Sequence, residues 1–145
     1  MTITLPRSPV GTWRLISAST LTAGGRDHAP YGAHPAGVLM YTQDGRMSVI
    51  VSHANRQPLS RGDRISAPAG ERGEAFATFL AYAGRYSLAG DQMIHHVEIS
   101  SVENWVNTDL IRTITFEGDR IVLTTPPLSV GGTLRTTSLV WERVK

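Results

Sequence analysis

Cysteine is absent from this 145-residue chain, and lysine occurs once, at Lys145. Without cysteine the chain has no disulfides, thiolate metal ligands or cysteine nucleophiles. The other thirteen basic residues are arginines, which are scattered and form no continuous basic stripe with aromatic residues between them. A nucleic-acid surface needs a basic stripe and stacking platforms, so we expect no nucleic-acid partner.

Long apolar runs are also missing. No segment approaches the roughly 20 residues that a membrane-spanning helix needs. Residues 1–9 contain one arginine and no apolar stretch of the kind found in secretory signals. We therefore expect no membrane partner and a cytoplasmic location.

The overall composition is that of a globular domain, with 41% hydrophobic and 18% charged residues. A chain of 145 residues corresponds to one domain with one core. We assign residues 1–8 to a flexible N-terminus and residues 9–145 to the domain.

Apolar and polar residues alternate with a period of two through most of the chain, and turn residues recur at short intervals, a pattern typical of antiparallel strands. Eight strands are predicted, at residues 10–20, 37–42, 46–53, 81–89, 92–100, 109–117, 120–125 and 133–144, with a short helix at residues 71–80. Eight is the number at which a sheet closes around packed side chains or one small ligand. The predicted fold is an all-β, single-domain, antiparallel up-and-down eight-stranded barrel with one short helix.

Hairpin registers assign one face of each strand to the barrel interior. If the turn at residues 90–91 has two residues, Tyr86 opposes His95 and Tyr82 opposes Ile99 on an otherwise apolar face. The other face of this hairpin carries charged residues that we expect in solvent, namely Arg85, His96 and Glu98.

In the hairpin at residues 37–53, the same reasoning places Val38 and Met40 inside with Met47, and Tyr41 outside. The turn is taken at residues 43–46, where Asp44-Gly45 between alternating strands is a strong hairpin signal.

A guanidinium is the unexpected member of the predicted interior. The strands around the turn at residues 118–119 place Arg112 on the inner face with Phe116. Burying an unpaired guanidinium is costly, and no acidic residue lies on the inner faces assigned above. We therefore expect Arg112 to contact a carbonyl, a phenol, water or an anionic ligand.

Short motifs then suggest a family. Gly11-Thr12-Trp13 begins the first predicted strand and Arg143 lies near the end of the last. This resembles the Gly-x-Trp signature of the lipocalin superfamily, in which an arginine from the final strand packs over the tryptophan. Other segments resemble the small bacterial lipocalin-like domain family: GTWRL at 11–15, YTQDGRMSV at 41–49, YAGRY at 82–86, HHVE at 95–98, NWVNT at 104–108 and LVWERV at 139–144.

The resemblance implies an up-and-down barrel partly covered by a helix, with structural roles for Gly11, Trp13 and Arg143. It also implies kinship with binders of small hydrophobic molecules. We favour binding of a small hydrophobic or amphipathic molecule with an anionic or keto head group inside the barrel. The predicted ligand-binding residues are Met47, Tyr82, Tyr86, His95, Trp105, Arg112 and Phe116.

Two other functions stay open. One is a small cyclase or isomerase of a biosynthetic pathway, in which His95 acts as acid or base and Arg112 or a tyrosine holds the developing negative charge. The other is a structural module whose barrel is filled by its own side chains. No hydrolase, nucleotide-binding or zinc-protease motif is present, so no further catalytic residue is assigned.

No metal or other cofactor is predicted. His95 and His96 are adjacent on a predicted strand and point to opposite faces, so they cannot share one ion. The expected partner is a small-molecule ligand, and the chain is expected to be a monomer or a homodimer.

Overall fold

The computed structural model describes residues 7–145 of the chain. These residues contain ten β-strands, one α-helix and one 3₁₀ turn, joined by loops. The strands are β1 (Gly11–Thr22), β2 (Gly25–Asp27), β3 (Ala36–Tyr41), β4 (Arg46–Ser52), β5 (Phe79–Ala89), β6 (Gln92–Ser100), β7 (Asp109–Glu117), β8 (Arg120–Thr124), β9 (Leu128–Val130) and β10 (Thr133–Arg143). Helix α1 (Ala69–Ala77) precedes β5, and the 3₁₀ turn η1 (Glu103–Trp105) follows β6. The predicted flexible N-terminus falls mainly on residues 1–6, which lie outside the described residues.

Eight long strands form a closed antiparallel barrel. Neighbouring strands pair in the order β1, β3, β4, β5, β6, β7, β8 and β10, and β10 pairs with β1 to close the sheet. The three-residue strands β2 and β9 only extend β1 and β10. The prediction of an eight-stranded up-and-down barrel with one short helix is confirmed. The helix ends earlier than predicted because Phe79 and Leu80 pair with β4 instead.

The barrel core is built by the inward-facing residues of the alternating strands. Each fully buried aliphatic side chain contributes about 1.5–3 kcal/mol relative to an exposed one. The largest fully buried side chains are Trp13, Trp141, Tyr41, Leu39, Met93, Ile121, His95 and Val97.

Arg143 covers the end of the barrel at which β1 begins. Its Cζ lies 4.3 Å from the centroid of the Trp13 ring, and its Nη1 and Nη2 donate to the carbonyl oxygens of Val10 and Ser8 at 2.7 and 2.9 Å. Gly11 has a φ of 137°, and a Cβ there would lie 2.6 Å from Arg143 Nη1. The position of the guanidinium therefore favours glycine at this point of β1.

The hairpin between β3 and β4 overturns the predicted inner face of β3. Tyr41 pairs with Met47, which leaves the odd number of five residues, 42–46, between the partners. The prediction assumed an even number, and a shift of one residue moves every side chain to the other face. Tyr41 is therefore buried at 2% exposure, whereas Val38 and Met40 lie outside and Met47 stays inside.

A β-bulge at Glu98 of β6 overturns one predicted pair. Tyr82 was predicted to oppose Ile99 but pairs with Ser100, because the register shifts next to Gly84. The extra residue turns Ile99 outward, where it is 72% exposed, while Tyr82 remains in the core.

Gly84→Ala is expected to destabilise the barrel by about 2 kcal/mol, since the site has no room for a larger residue. The added Cβ would lie 1.9 Å from the carbonyl oxygen of His96, a backbone atom that cannot move without disturbing the β5–β6 pairing. Urea unfolding measures the effect. Gly73→Ala in α1 is the matched control, because nothing lies within 4 Å of its new Cβ, and it should be neutral or stabilising. An unchanged urea midpoint for Gly84→Ala would contradict the bulge.

Candidate functional site

A cavity of about 280 Å³ lies within the barrel. This volume is near the lower end of small-molecule sites, which begin at roughly 300 Å³. Its wall is largely apolar and includes Leu39, Val49, Val51, Leu110, Leu123 and Leu139. The structural-module hypothesis requires a barrel that is filled by its own side chains, and the presence of this cavity contradicts it.

Two tyrosines hold His95 at the wall of this cavity. Tyr41 of β3 places its hydroxyl 2.6 Å from His95 Nε2, and Tyr82 of β5 places its hydroxyl 2.8 Å from Nδ1. His95 itself is 1% exposed. Sequence reasoning missed Tyr41 because it assigned the wrong face to β3, and only the parity of the β3–β4 turn could have revealed it.

Burial keeps this cluster of hydroxyls and imidazole uncharged. Burial, with a smaller contribution from the nearby Arg112 guanidinium, lowers the pKa of His95 from 6.5 to about 3. Burial also raises the pKa of Tyr41 and of Tyr82, so both phenols keep their protons. Both ring nitrogens of His95 are hydrogen-bonded to tyrosines, and the low pKa makes the imidazole a weak base. The site therefore does not favour the acid–base role of the isomerase alternative.

The guanidinium of Arg112 lines the same cavity and is half-buried. Among residues 7–145, no carboxylate lies within ion-pair distance of it. Its Nη1 donates to the carbonyl oxygen of Ile111 at 3.1 Å. Its charge also opposes the rise in the pKa of Tyr31 and of Tyr82. Arg112, like Arg135 on the same wall, is thus a cation that lines a largely apolar cavity without an anionic partner among residues 7–145.

Trp105 of η1 lies at the cavity wall beside this cluster. Its ring contacts that of Tyr82 edge to face, with 6.0 Å between the centroids. Together with Tyr82, His95 and Arg112, it makes four of the predicted ligand-binding residues that line one cavity. Their role in binding stays a prediction.

The other three predicted residues do not line this cavity. Met47 is buried in the core, and the Tyr86 hydroxyl donates to the carbonyl oxygen of Thr42 at 2.8 Å. Phe116 lines a separate shallow groove. All three side chains lie on the inward face of their strands and pack in or against the core. The strand pattern predicts which face a residue occupies, but it does not predict the residue's height along the barrel axis, which decides whether it lines the cavity.

Trp141 brings a buried donor to the wall of the cavity. The residue lines the cavity and is fully buried. Its Nε1, however, is a buried donor without a hydrogen-bond partner among the described residues. Leaving such a donor unpaired costs about 1–3 kcal/mol.

A second group of hydrogen-bonded side chains lies on the outer face of the barrel. Ser87 Oγ is 2.9 Å from His96 Nε2, and His96 Nδ1 is 2.8 Å from Asp109 Oδ1. The order of groups matches that of serine hydrolases. None of the three residues lines the barrel cavity, and they extend a surface cluster in which Glu98 pairs with Arg46 and Arg85. We therefore interpret them as exposed cross-strand polar contacts.

An open cleft of about 470 Å³ lies between residues 53–59 and α1. Arg56 ties its two sides together, donating to Thr78 Oγ1 at 3.1 Å and to the carbonyl oxygen of Ala75 at 3.2 Å. Because its central cation is already engaged, we place the candidate site in the barrel cavity and not in this cleft.

Within residues 7–145, no three histidine, aspartate or glutamate side chains are grouped so that they could hold a metal ion. The described helices are also too short or too polar to cross a membrane. The polar side-chain groups that line the barrel cavity are hydroxyls, two indoles, an imidazole and two guanidinium groups.

A closed antiparallel barrel with an internal cavity, and with a final-strand arginine over the tryptophan of the first strand, defines a lipocalin-like class of protein. The family model described as the lipocalin-like domain matches residues 10–144, and the chain belongs to this family. The resemblance drawn from the sequence motifs is thereby confirmed.

Two individual proteins are similar to this chain. The 4'-hydroxy-3'-methoxypropiophenone carrier protein of Aspergillus oryzae is 32% identical over 79 residues, which cover 48% of this chain and 71% of that protein. Among solved structures, a REP1-NXSQ fatty acid transporter is similar with a TM-score of 0.42 and 12% identity, over 94% of this chain and 96% of that chain.

Proposed function

We propose that the barrel cavity binds a small, largely apolar molecule with one hydrogen-bond-accepting head group, either an anionic group or a keto oxygen. The observation that carries this proposal is the half-buried Arg112 guanidinium, which lines an apolar cavity with no carboxylate partner among residues 7–145. Apolar ligand surface buried there contributes about 25 cal/mol per Å². Arg112 supplies charge-assisted hydrogen bonds that orient the head group.

The Aspergillus oryzae relative supports a carrier role. Its name describes it as a carrier of an aromatic ketone, a molecule with an apolar body and an acceptor oxygen. We propose the same kind of role for this chain, in which the ligand is bound and released unchanged. In this role His95 positions the hydroxyls of Tyr41 and Tyr82 and transfers no proton.

Isothermal titration with three probes of similar size tests the proposal. Propiophenone and benzoate are expected to bind saturably at one site, because each has an acceptor oxygen on an aromatic body. Phenethylamine is expected not to bind, since its ammonium group would face the Arg112 guanidinium. Failure of both propiophenone and benzoate to bind would contradict the proposed function.

A pair of tryptophan substitutions locates the binding site. Leu139→Trp should fill the cavity and remove binding of propiophenone, because Leu139 lines it. Ile99→Trp is the matched control on the outer face, where the side chain is 72% exposed, and should bind as the parent does. Circular dichroism of both variants establishes that they fold. Undiminished binding by folded Leu139→Trp would place the ligand elsewhere.

A further inference from the structure

The group formed by Tyr41, His95 and Tyr82 has one more polar hydrogen than it has hydrogen bonds. Neutral His95 carries one N–H and each tyrosine carries one O–H, which makes three donors. The three residues form two hydrogen bonds with one another. The other polar group beside them is the Arg112 guanidinium near the Tyr82 hydroxyl, which can only donate, so neither hydroxyl has a further acceptor among residues 7–145. One hydroxyl proton is therefore left without an acceptor.

Burial decides which hydroxyl keeps the spare proton. Tyr41 is 2% exposed and does not line the cavity, so an unpaired proton there would be enclosed at a cost of about 1–3 kcal/mol. Tyr82 does line the cavity. Tyr41 thus donates to His95 Nε2, and His95 Nδ1–H donates to the Tyr82 oxygen. This arrangement leaves the Tyr82 O–H available to a molecule in the cavity.

A second unpaired donor belongs to Trp141, another residue that lines the cavity. Trp141 is fully buried, and its Nε1 has no acceptor among the described residues. By contrast, the equally buried Trp13 donates its Nε1–H to the carbonyl oxygen of Pro9 at 2.8 Å. An indole nitrogen can only donate, so an acceptor oxygen is the group that would satisfy Trp141.

We propose that Tyr82, Trp141 and Arg112 form a donor-only head-group site that recognises a carbonyl oxygen. The proposal rests on the proposed function, because it requires that the cavity bind a ligand. A carbonyl oxygen offers lone pairs and no proton, which complements an O–H, an N–H and a guanidinium. An alcohol brings a proton that the indole and the guanidinium cannot accept. The Tyr82 oxygen already accepts from His95 Nδ1–H and lies beside the Arg112 guanidinium, so it is not free for that proton. A hydrocarbon leaves the donors unpaired.

Three ligands that differ only at the head group test this selectivity by isothermal titration: propiophenone, 1-phenylpropan-1-ol and propylbenzene. In the parent protein, the ketone is expected to bind about tenfold more tightly than the hydrocarbon, the factor that one well-made hydrogen bond supplies. The alcohol should bind less tightly than the ketone. The quantity compared between variants is the ratio of the ketone affinity to the hydrocarbon affinity. A substitution that changes the size of the cavity affects both ligands alike, so this effect cancels in the ratio.

Tyr82→Phe and Trp141→Phe should each lower this affinity ratio several-fold, since each removes one donor. Tyr86→Phe is the matched control, because the Tyr86 hydroxyl donates to the Thr42 carbonyl away from the cavity. It should leave the ratio unchanged.

Nuclear magnetic resonance of the unsubstituted protein gives an independent measurement that does not depend on the folding of a variant. The indole N–H resonance of Trp141 is expected to move downfield with propiophenone and not with propylbenzene. The indole resonance of Trp13 should stay in place, because its proton is already bonded to Pro9.

The outcomes separate this inference from the proposed function. If ketone, alcohol and hydrocarbon bind equally well, the cavity binds ligands and the donor-only site is wrong. If propiophenone does not change the chemical shift of the Trp141 indole N–H, Trp141 is not part of the site. If neither propiophenone nor benzoate binds, the proposed function fails and the inference fails with it.

Discussion

Arg112→Met is expected to weaken the binding of benzoate by on the order of 10- to 100-fold, because a charged hydrogen-bond partner of a buried anion is worth about 1.5–3 kcal/mol. The barrel should remain folded, since Arg112 forms no ion pair with any residue in the range 7–145. Methionine keeps most of the length of the side chain and removes only its charge and donors. Isothermal titration of parent and variant measures the difference.

Arg85→Met is the control that matches this change in charge. Arg85 lies on the outer face, where its Nε is 3.4 Å from a carboxylate oxygen of Glu98. Benzoate affinity should be the same in Arg85→Met as in the parent. Equal binding by Arg112→Met and the parent would remove Arg112 from the site.

Acidification from pH 6.5 towards 3 is expected to destabilise the barrel through His95. Burial lowers the pKa of His95 to about 3 in the folded protein, whereas the unfolded chain titrates near 6.5. Between these values the unfolded chain binds more protons, so the stability that is present above pH 6.5 is lost as the pH falls. The loss amounts to at most about 1.4 kcal/mol for each pH unit. Urea unfolding across this pH range measures it.

His95→Gln isolates this contribution, because an amide can still donate to one tyrosine and accept from the other but does not titrate. Its stability should depend on pH less steeply than that of the parent. His96→Gln, on the outer face, should keep most of the parent's slope. The pKa of His53 is also lowered by burial, and comparison with the parent cancels its contribution. Identical slopes for His95→Gln and the parent would mean that His95 is not held neutral.

The architecture was predictable because strand alternation is a local property. Two-residue periodicity identified the eight long strands, and the turn at residues 90–91 set the predicted pairing of Tyr86 with His95. The same method failed at the β3–β4 hairpin, where the turn has an odd number of residues, and at the Glu98 bulge. A single extra residue leaves the alternation on each side intact, so the sequence pattern does not reveal it.

The candidate site was predictable only in part. Four of the predicted residues line the cavity, namely Tyr82, His95, Trp105 and Arg112. Three of them, Tyr82, His95 and Arg112, could be found because they are polar residues at inward-facing positions of the predicted strands. Tyr41 was missed through the reversed face of β3. Trp141 was missed because its unpaired Nε1 is defined by what surrounds it, and an aromatic residue on a core face is interpreted as packing.

The amino-acid sequence by itself determined the eight long strands of the barrel, the apolar interior and the lipocalin-like family motifs, since these depend on residues close together in the chain. Only the tertiary structure decided that the barrel encloses a cavity and that Tyr41 and Tyr82 bracket His95. The bond from Tyr41 to His95 joins residues 54 positions apart in the chain. Such a contact depends on turn lengths and on the closure of the whole barrel, which no short pattern of residues encodes.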